Sequence, residues 1–250
     1  MTRHARIVKV GGAHLDDPAF LDRLHARLAE LCTDSPVVLV HGGGNQIAEM
    51  QRKMAIEPHI VDGLRVTTSE AMRIVAMVLA GQLNKQLVAH FVHHGLGALG
   101  VSGADGGLLR APFHGTGQLG RVGGVPRVDQ RVLEALLTHH DVLVVAPVCL
   151  APDGGLLNVN ADTAAPALAV ALHAEVLEFV TDVDHVKTPD GPLTRVSPPM
   201  VEDLIRTHVV NGGMRPKMEA AVSAVRHGVS VVRVGSLESL ASGQATEVMA

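Results

Sequence analysis

Pro36-Val37-Val38-Leu39-Val40-His41-Gly42-Gly43-Gly44-Asn45 is the stretch that decides the fold. Val37 to Val40 is an unbroken apolar run, so both faces must be covered, as in the central strand of a parallel sheet. Three glycines stop it, and a helical pattern runs from about Gln46 to Ala55. Strand, glycine turn and helix together present backbone N–H groups and a helix N-terminus to an anion. The segment is not the dinucleotide fingerprint, because Ile47 stands where the third glycine would be.

Upstream, Arg6-Ile7-Val8-Lys9-Val10-Gly11-Gly12 repeats the strand and glycine pattern. Lys9 is anomalous in a buried strand unless its ammonium emerges at the strand tip into a polar pocket. Asp16-Asp17-Pro18 then opens a helix with Phe20, Leu21, Leu24, Leu28 and Leu31 at helical spacing. Downstream, Leu157-Asn158-Val159-Asn160-Ala161-Asp162-Thr163 joins an Asp153 to Gly155 turn to an Ala-rich helical pattern over 164–173. Asn and Asp at such a junction cap free N–H groups. With two glycine loops and a lysine near each end of the chain, they also describe a phosphate site, and both roles stand open.

The remaining chain alternates strands and helices. Val61 to Thr67 reads as a hairpin carrying Arg65, a side chain able to fork a carboxylate. Thr67 and Glu70 have capping-box spacing, which starts a helix running to about His94. Gly95 to Gly100 matches G-x-G-x-x-G but in the wrong order, after a helix and before a strand. Glycine-punctuated β patterns over 101–126 predict hairpins forming a lid or wall. A helix over 129–138, strands over 142–145 and 176–180, a polar loop from Thr181, a helix at Pro198-Pro199, a helix over 218–227 and a last strand over 229–234 complete the reading.

Composition narrows the function. A net charge of -4 and four Phe with no Tyr or Trp argue against nucleic acid as a partner. No signal-peptide pattern or bilayer-length apolar run occurs, so a cytoplasmic protein without membrane association is expected. Cys32 and Cys149 read as buried thiols, and the fifteen histidines as surface or helix-capping groups with no metal motif among them.

Seven segments in register identify a family. Lys9-Val10-Gly11-Gly12, Val40-His41-Gly42-Gly43-Gly44, Gly63-Leu64-Arg65-Val66-Thr67, Ala80-Gly81 with Asn84-Lys85, Gly120 with Val122-Gly123, Asn158 to Asp162, and Gly212-Gly213-Met214 with Lys217 resemble the amino acid kinase family. Within it the pattern is similar to members that phosphorylate N-acetyl-L-glutamate. The resemblance implies an α/β fold, a three-layer αβα sandwich with an open, mainly parallel sheet. It implies an N-lobe of about 1–173 for the amino acid and a C-lobe of about 174–250 for ATP. It further implies ATP-dependent phosphorylation of the side-chain carboxylate, with Mg²⁺ bound through the phosphates and no direct protein ligand.

Carried over residue by residue, the resemblance gives Lys9 and Lys217 the charge of the transferring phosphoryl group and Asp162 the orientation of both. Gly11, Gly12, Gly43 and Gly44 supply N–H donors, the last two also at the amino acid. Arg65, Asn158 and Asn160 hold the substrate. Thr181, Asp182, Val183, Asp184, His185, Val186 and Lys187, with Val209, Val210 and Asn211, line the nucleotide. His185 departs from the family, which usually has glycine there, a residue freer in backbone angle. Arginine-inhibited members carry an N-terminal helix that builds hexamers, and only eight residues precede Lys9, so a homodimer without that feedback is expected. The rival readings are a kinase of carrier-bound α-aminoadipate and a non-catalytic sensor. Gly63 to Thr67 and a total of five lysines favour the free substrate, and the retained Lys9, Asp162 and Lys217 favour catalysis.

Overall fold

The computed structural model describes residues 5–115, 117–188 and 191–250. Residues 1–4, Thr116 inside the glycine-rich segment and residues 189–190 lie outside that description. Eight strands form the main sheet: β1 (Arg6–Val10), β2 (Val37–His41), β3 (Ala98–Ser102), β4 (Val142–Ala146), β5 (Val176–Val180), β6 (Arg195–Val196), β7 (Val231–Gly235) and β8 (Thr246–Met249). Their order is β6-β8-β7-β5-β1-β2-β4-β3. From β7 to β3 every pairing is parallel, whereas β8 runs antiparallel to β7 and carries β6 alongside it.

Strand alternation sorts the apolar side chains into two layers. Ile7, Val38, Val40, Leu177 and Phe179 face one side, where Leu133, Leu168, Val201 and Met218 from four helices cover them. Val8, Val10, Leu39 and Val144 face the other, beneath Leu24, Ile47, Phe91 and Leu240. The result is the expected three-layer sandwich. Lys9, two residues after Ile7, shares the first face and pairs in register with Val40 and Phe179.

Short β segments extend beyond the C-terminal ends of the central strands. Val148–Leu150 and Leu156–Asn158 follow directly on β4 and join Leu109–Arg110 and Arg127–Val128 in a four-stranded sheet. A hairpin of Ile60–Val61 and Leu64–Arg65 turns through Asp62 and Gly63, both with positive φ, the backbone that a tight two-residue hairpin turn demands.

The structure departs from the sequence reading at element ends. Helices begin at Gly44, Ala161 and Met214, each two to four residues earlier than the apolar pattern suggests. Gly44-Asn45, Asp162-Thr163 and Arg215-Pro216-Lys217 carry no apolar periodicity, so the first turns were invisible as helix. Thr68, not Thr67, caps the helix at Ser69, its hydroxyl accepting from the Ala71 N–H at 3.1 Å. That helix continues unbroken through a π-helical segment, Met77–Leu83, into Asn84–His93. Over 101–126 the chain is mostly loop stitched by isolated bridges rather than a run of hairpins. The last two strands at the β6 end of the sheet, β6 and β8, and the Leu237–Ser242 helix have no counterpart in the sequence reading.

Candidate active site

Two glycine loops form the floor. Gly42 N–H donates to the Val10 carbonyl at 2.9 Å, drawing the loop after β2 onto the loop after β1. A Cβ on Gly12 would lie 2.6 Å from the Gly43 Cα, so the contact excludes any side chain there. A Cβ on Gly43 would meet Leu83 and Leu79 at 2.5 and 2.6 Å. Gln46, within the helix that follows, donates to the Gly12 carbonyl at 2.8 Å and to Asp16 at 2.6 Å, fixing one loop to the other. The Gly44–Lys53 helix has no side-chain cap, which leaves its first N–H groups directed at the floor.

His41 and Asn84 support that floor from below. Both are fully buried; the Asn84 amide donates to the Val144 and Val101 carbonyls at 3.0 and 3.2 Å, and Lys85 donates to the Asn84 oxygen at 2.9 Å. Gly100 is required beside it, since a Cβ would sit 2.2 Å from that oxygen. Burial pushes the His41 pKa down to about 4, against the Gly42 hydrogen bond and with the Lys85 charge adding to the fall. His41 is therefore a neutral structural group.

The charged centre is a triad from three elements. Lys9 Nζ lies 2.7 Å from one Asp162 oxygen, and Lys217 Nζ 3.5 Å from the other. Lys9 is 4% exposed and Asp162 8%. Burial lowers the Lys9 pKa; Asp162 opposes that, and the Lys217 charge adds to it. Asp162 occupies the first turn of the Ala161–Ala171 helix, and its N–H is capped by the Asn160 side chain at 2.9 Å. Lys217 lies in the first turns of Met214–Arg226 and also donates to the Gly213 carbonyl at 3.4 Å. One carboxylate thus holds two ammonium groups at the floor, and both positive charges remain only partly offset.

A cavity of about 260 Å³ opens on the Lys9 side, lined by Gly11, Gly12, Gly43, Gly44, Arg65, Asn158 and Asn160 among others. Arg65 is propped by two residues: it donates to Gln51 Oε1 at 2.5 Å and to the Gly44 carbonyl at 2.8 Å. Burial, with the nearby Arg52 charge, lowers its pKa. Asn158 donates to the Thr67 hydroxyl at 3.2 Å, and that hydroxyl donates to the Arg65 carbonyl at 2.7 Å. Gly120 packs where a Cβ would lie 2.5 Å from the Thr67 carbonyl, and Val122 bridges to Asn158. Gln51 escaped the sequence reading, because a buried polar residue on a helix gives no spacing signal of its own, and Thr67 entered it as a helix cap and motif residue rather than as a partner of Asn158.

A second cavity, of about 320 Å³, adjoins the first and shares Gly11, Gly12 and Gly44 with it. Thr181, Asp182 and Lys217 line it, together with His14, whose ring lies 2.7 Å from the Asp182 carboxylate. The rest of the expected nucleotide segment lies elsewhere. Asp184 accepts from the Ser236 hydroxyl at 2.6 Å, Val183 is exposed, and Lys187 pairs into a short hairpin with Pro192. The Val186 and Val210 side chains are packed in the core at 3% exposure. Val209 and Asn211 do not line either of these cavities, and the Asn211 carbonyl accepts from Met214 N–H at the head of the Lys217 helix. His185 does not require glycine, since positive φ occurs outside glycine only at Ala55, Asp62, His173 and His208 among the described residues.

The family model described as "Amino acid kinase family" matches residues 5–236, nearly the whole chain and every residue of this site. The chain belongs to the amino acid kinase family. Relatives named acetylglutamate kinase support the assignment: one from Methanopyrus kandleri is 44% identical, covering 97% of this chain and 99% of its own. Another from Chloroflexus aggregans is 42% identical over 95% and 94%, and one from Geobacillus kaustophilus 42% over 92% and 89%. Among solved structures, a Streptococcus mutans protein superposes with a TM-score of 0.84 at 27% identity, covering 99% of both chains. A Giardia lamblia carbamate kinase, at 15% identity, covers 98% of each chain with a TM-score of 0.70 and shares the family fold. For an amino acid kinase, two cavities meeting over glycine N–H groups and paired lysines is an arrangement suited to moving a phosphoryl group between two anions.

Proposed function

We propose that this chain transfers the γ-phosphoryl group of ATP to the side-chain carboxylate of N-acetyl-L-glutamate, giving N-acetyl-L-glutamyl 5-phosphate and ADP for arginine synthesis. The observation that carries the reading is the Lys9-Asp162-Lys217 triad at the junction of two cavities that share Gly11, Gly12 and Gly44. Relatives at 42 to 44% identity that bear the name acetylglutamate kinase supply the substrate.

The acceptor occupies the Lys9 cavity. Arg65, held by Gln51, and Asn158, held by Thr67, bind its carboxylate and amide ends, with Asn160 beside them and Gly43 and Gly44 N–H groups at the reacting carboxylate. A carboxylate of ordinary pKa, about 4.3, is ionised at neutral pH, so no general base is needed. What must be overcome is repulsion between two anions. Lys9 on the acceptor side and Lys217 on the donor side offset the charge of the transferring group, and Asp162 keeps both ammonium groups aimed at it. Gly11 and Gly12 N–H groups hold phosphate oxygens, and the 181–187 loop with Val209, Val210 and Asn211 lies along the rest of ATP, Val186 and Val210 through backbone only.

Asp182, in the second cavity, is engaged by His14, and Asp162, between Lys9 and Lys217, is engaged by both lysines, while N–H and ammonium donors suit phosphate. This donor set fits Mg²⁺ carried on the nucleotide phosphates, where the ion neutralises charge on the transferring group. We assign residues 1–173 to an amino acid lobe and 174–250 to a nucleotide lobe of one domain. Among the described residues no helix is long and apolar enough to cross a membrane. A cytoplasmic homodimer is the proposed working state, and light scattering tests the stoichiometry.

The test is ATP-dependent acyl-phosphate formation trapped with hydroxylamine, comparing N-acetylglutamate with glutamate, aspartate and N-acetyl-α-aminoadipate. Strong preference for N-acetylglutamate is expected. Equal or better use of the aminoadipate compound would overturn the substrate assignment, and nucleotide binding without ADP release would overturn the enzyme.

A further inference from the structure

The helix Pro18–Cys32 and the end of the helical run at His93 lie on the sheet face that does not carry Lys9, and a cluster of nitrogen and oxygen donors lies between them. Asp22 and His25 are three residues apart on the first helix, and His94, the C-cap of the second, follows His90 by four, so each pair lies on one side. One ligand atom each from Asp22, His90 and His94 lies within 4.8 Å of the others. His90 Nε2 is 3.6 Å from the Asp22 carboxylate. The His25 ring centroid is 5.2 Å from that of His94, and the His90 and His94 centroids are 4.4 Å apart.

Two features set this cluster apart from an ordinary polar helix contact. His90 Nε2 and His25 Nε2 are buried and have no hydrogen-bond partner, an arrangement that costs free energy unless something else engages those nitrogens. His94 Nδ1 lies 2.8 Å from the His90 carbonyl, so Nδ1–H donates there and the lone pair remains on Nε2. A backbone carbonyl that fixes the tautomer of a histidine is the support metal-binding imidazoles ordinarily have. Tetrahedral zinc with bonds of about 2.1 Å spaces its ligand atoms by about 3.4 Å. The 3.6 Å His90 to Asp22 separation already matches this, and closing the 4.8 Å limit takes side-chain rotation of roughly an ångström.

We propose that Asp22, His90 and His94 form a site for a borderline divalent transition-metal ion such as Zn²⁺, with His25 or water as the fourth ligand. Two imidazoles and one carboxylate are a donor set that such ions prefer over Mg²⁺ or Ca²⁺. The ion would tie the helix that follows the Gly11-Gly12 loop to the end of the run that supports the second glycine loop. The site is separate from the phosphoryl-transfer chemistry and does not depend on it.

The experiment uses untagged chain stripped with chelator, dialysed against zinc and assayed for metal by mass spectrometry, with cobalt absorption as a second readout. One zinc per chain and the intense visible bands of tetrahedral cobalt are expected, with thermal melting raised by zinc. Asp22→Asn and His94→Gln, both exposed and so compatible with folding, should each weaken zinc by more than about tenfold and remove the cobalt bands. His139→Gln, an exposed histidine on the chain's other side of sequence, should change nothing. Absence of stoichiometric zinc at micromolar concentration, or zinc held equally well by the Asp22→Asn and His94→Gln variants, would overturn the site.

Discussion

Replacing Asp162 by Asn tests the electrostatic core of the site most directly, because the sign and the size of the effect both follow from geometry. The carboxylate lies 2.7 Å from Lys9 Nζ, and it is what opposes the lowering of the Lys9 pKa by burial. Coulomb's law at that separation, with an effective dielectric near 20, sets a ceiling of about 6 kcal/mol on the attraction. Water entry and side-chain rearrangement reduce such values, but the sign is fixed: without the carboxylate the Lys9 pKa falls further. In the unsubstituted enzyme the alkaline limb of kcat should already lie below pH 10.5, since burial has lowered Lys9 from that value. Asp162→Asn should bring the limb down further, because the charge that opposes the effect of burial is gone. Lys217→Ala supplies the opposite sign: the Lys217 charge lowers the Lys9 pKa, so its removal should raise the limb even as kcat itself falls. The assay is kcat against pH by coupled ADP release, with N-acetylglutamate and ATP saturating at each point. A limb that stays in place in both variants, or moves the same way in both, would refute the assignment of that limb to Lys9.

Three further outcomes are expected. Arg27 and Glu178 form a buried pair, with Nη2 to Oε1 at 2.5 Å and Nε to Oε2 at 3.4 Å, so Arg27→Met should cost about 3 kcal/mol in denaturant unfolding by leaving the buried carboxylate only Arg233, at 4.0 Å. Adding Glu178→Leu should restore most of that loss, and a double variant no more stable than the single would contradict it. His41 has a folded pKa of about 4 against 6.5 for the free side chain, so the unfolded chain binds more protons between those values. Stability should therefore fall as pH drops through that window, by about 3 kcal/mol from this group, and His41→Asn should flatten the dependence in urea titrations at several pH values. Gln51→Leu removes the oxygen that accepts from Arg65, and KM for N-acetylglutamate should rise about tenfold with kcat nearly unchanged, the loss of one charged hydrogen bond. A fall in kcat with unchanged KM would instead place Gln51 in the chemical step.

Much of this architecture was legible in the residues themselves. Val37 to Val40 and Ile7 to Val10 announce buried strands because nothing in them tolerates water, and Lys9 stands out for the same reason. Asn160 fulfils the capping role that its position suggests and lines the cavity on the Lys9 side as well. Strands β6 and β8 were hidden by chemistry: Arg195–Val196 is two residues long, and Thr246–Met249 contains a glutamate, so neither is an apolar run. Long-range polar partnerships, Gln51 with Arg65 and Thr67 with Asn158, are invisible in a linear sequence, because each residue alone has an ordinary local use. Asp22 and His90 are likewise brought together only by the packing of two helices.

The contact of Gly12 on Gly43 separates what is inherited from what is free to vary. The surface on which phosphoryl transfer takes place is backbone against backbone, and no side-chain exchange elsewhere alters the donors it presents. The acceptor wall is attached from outside, on a two-stranded hairpin and a three-residue strand that contribute nothing to the main sheet. On the proposed reading, a change of acceptor calls for remodelling chiefly those two small pieces and the Asn160 cap beside them, while the glycine floor is kept. That division gives one scaffold room to evolve toward many carboxylates without rebuilding its chemistry each time.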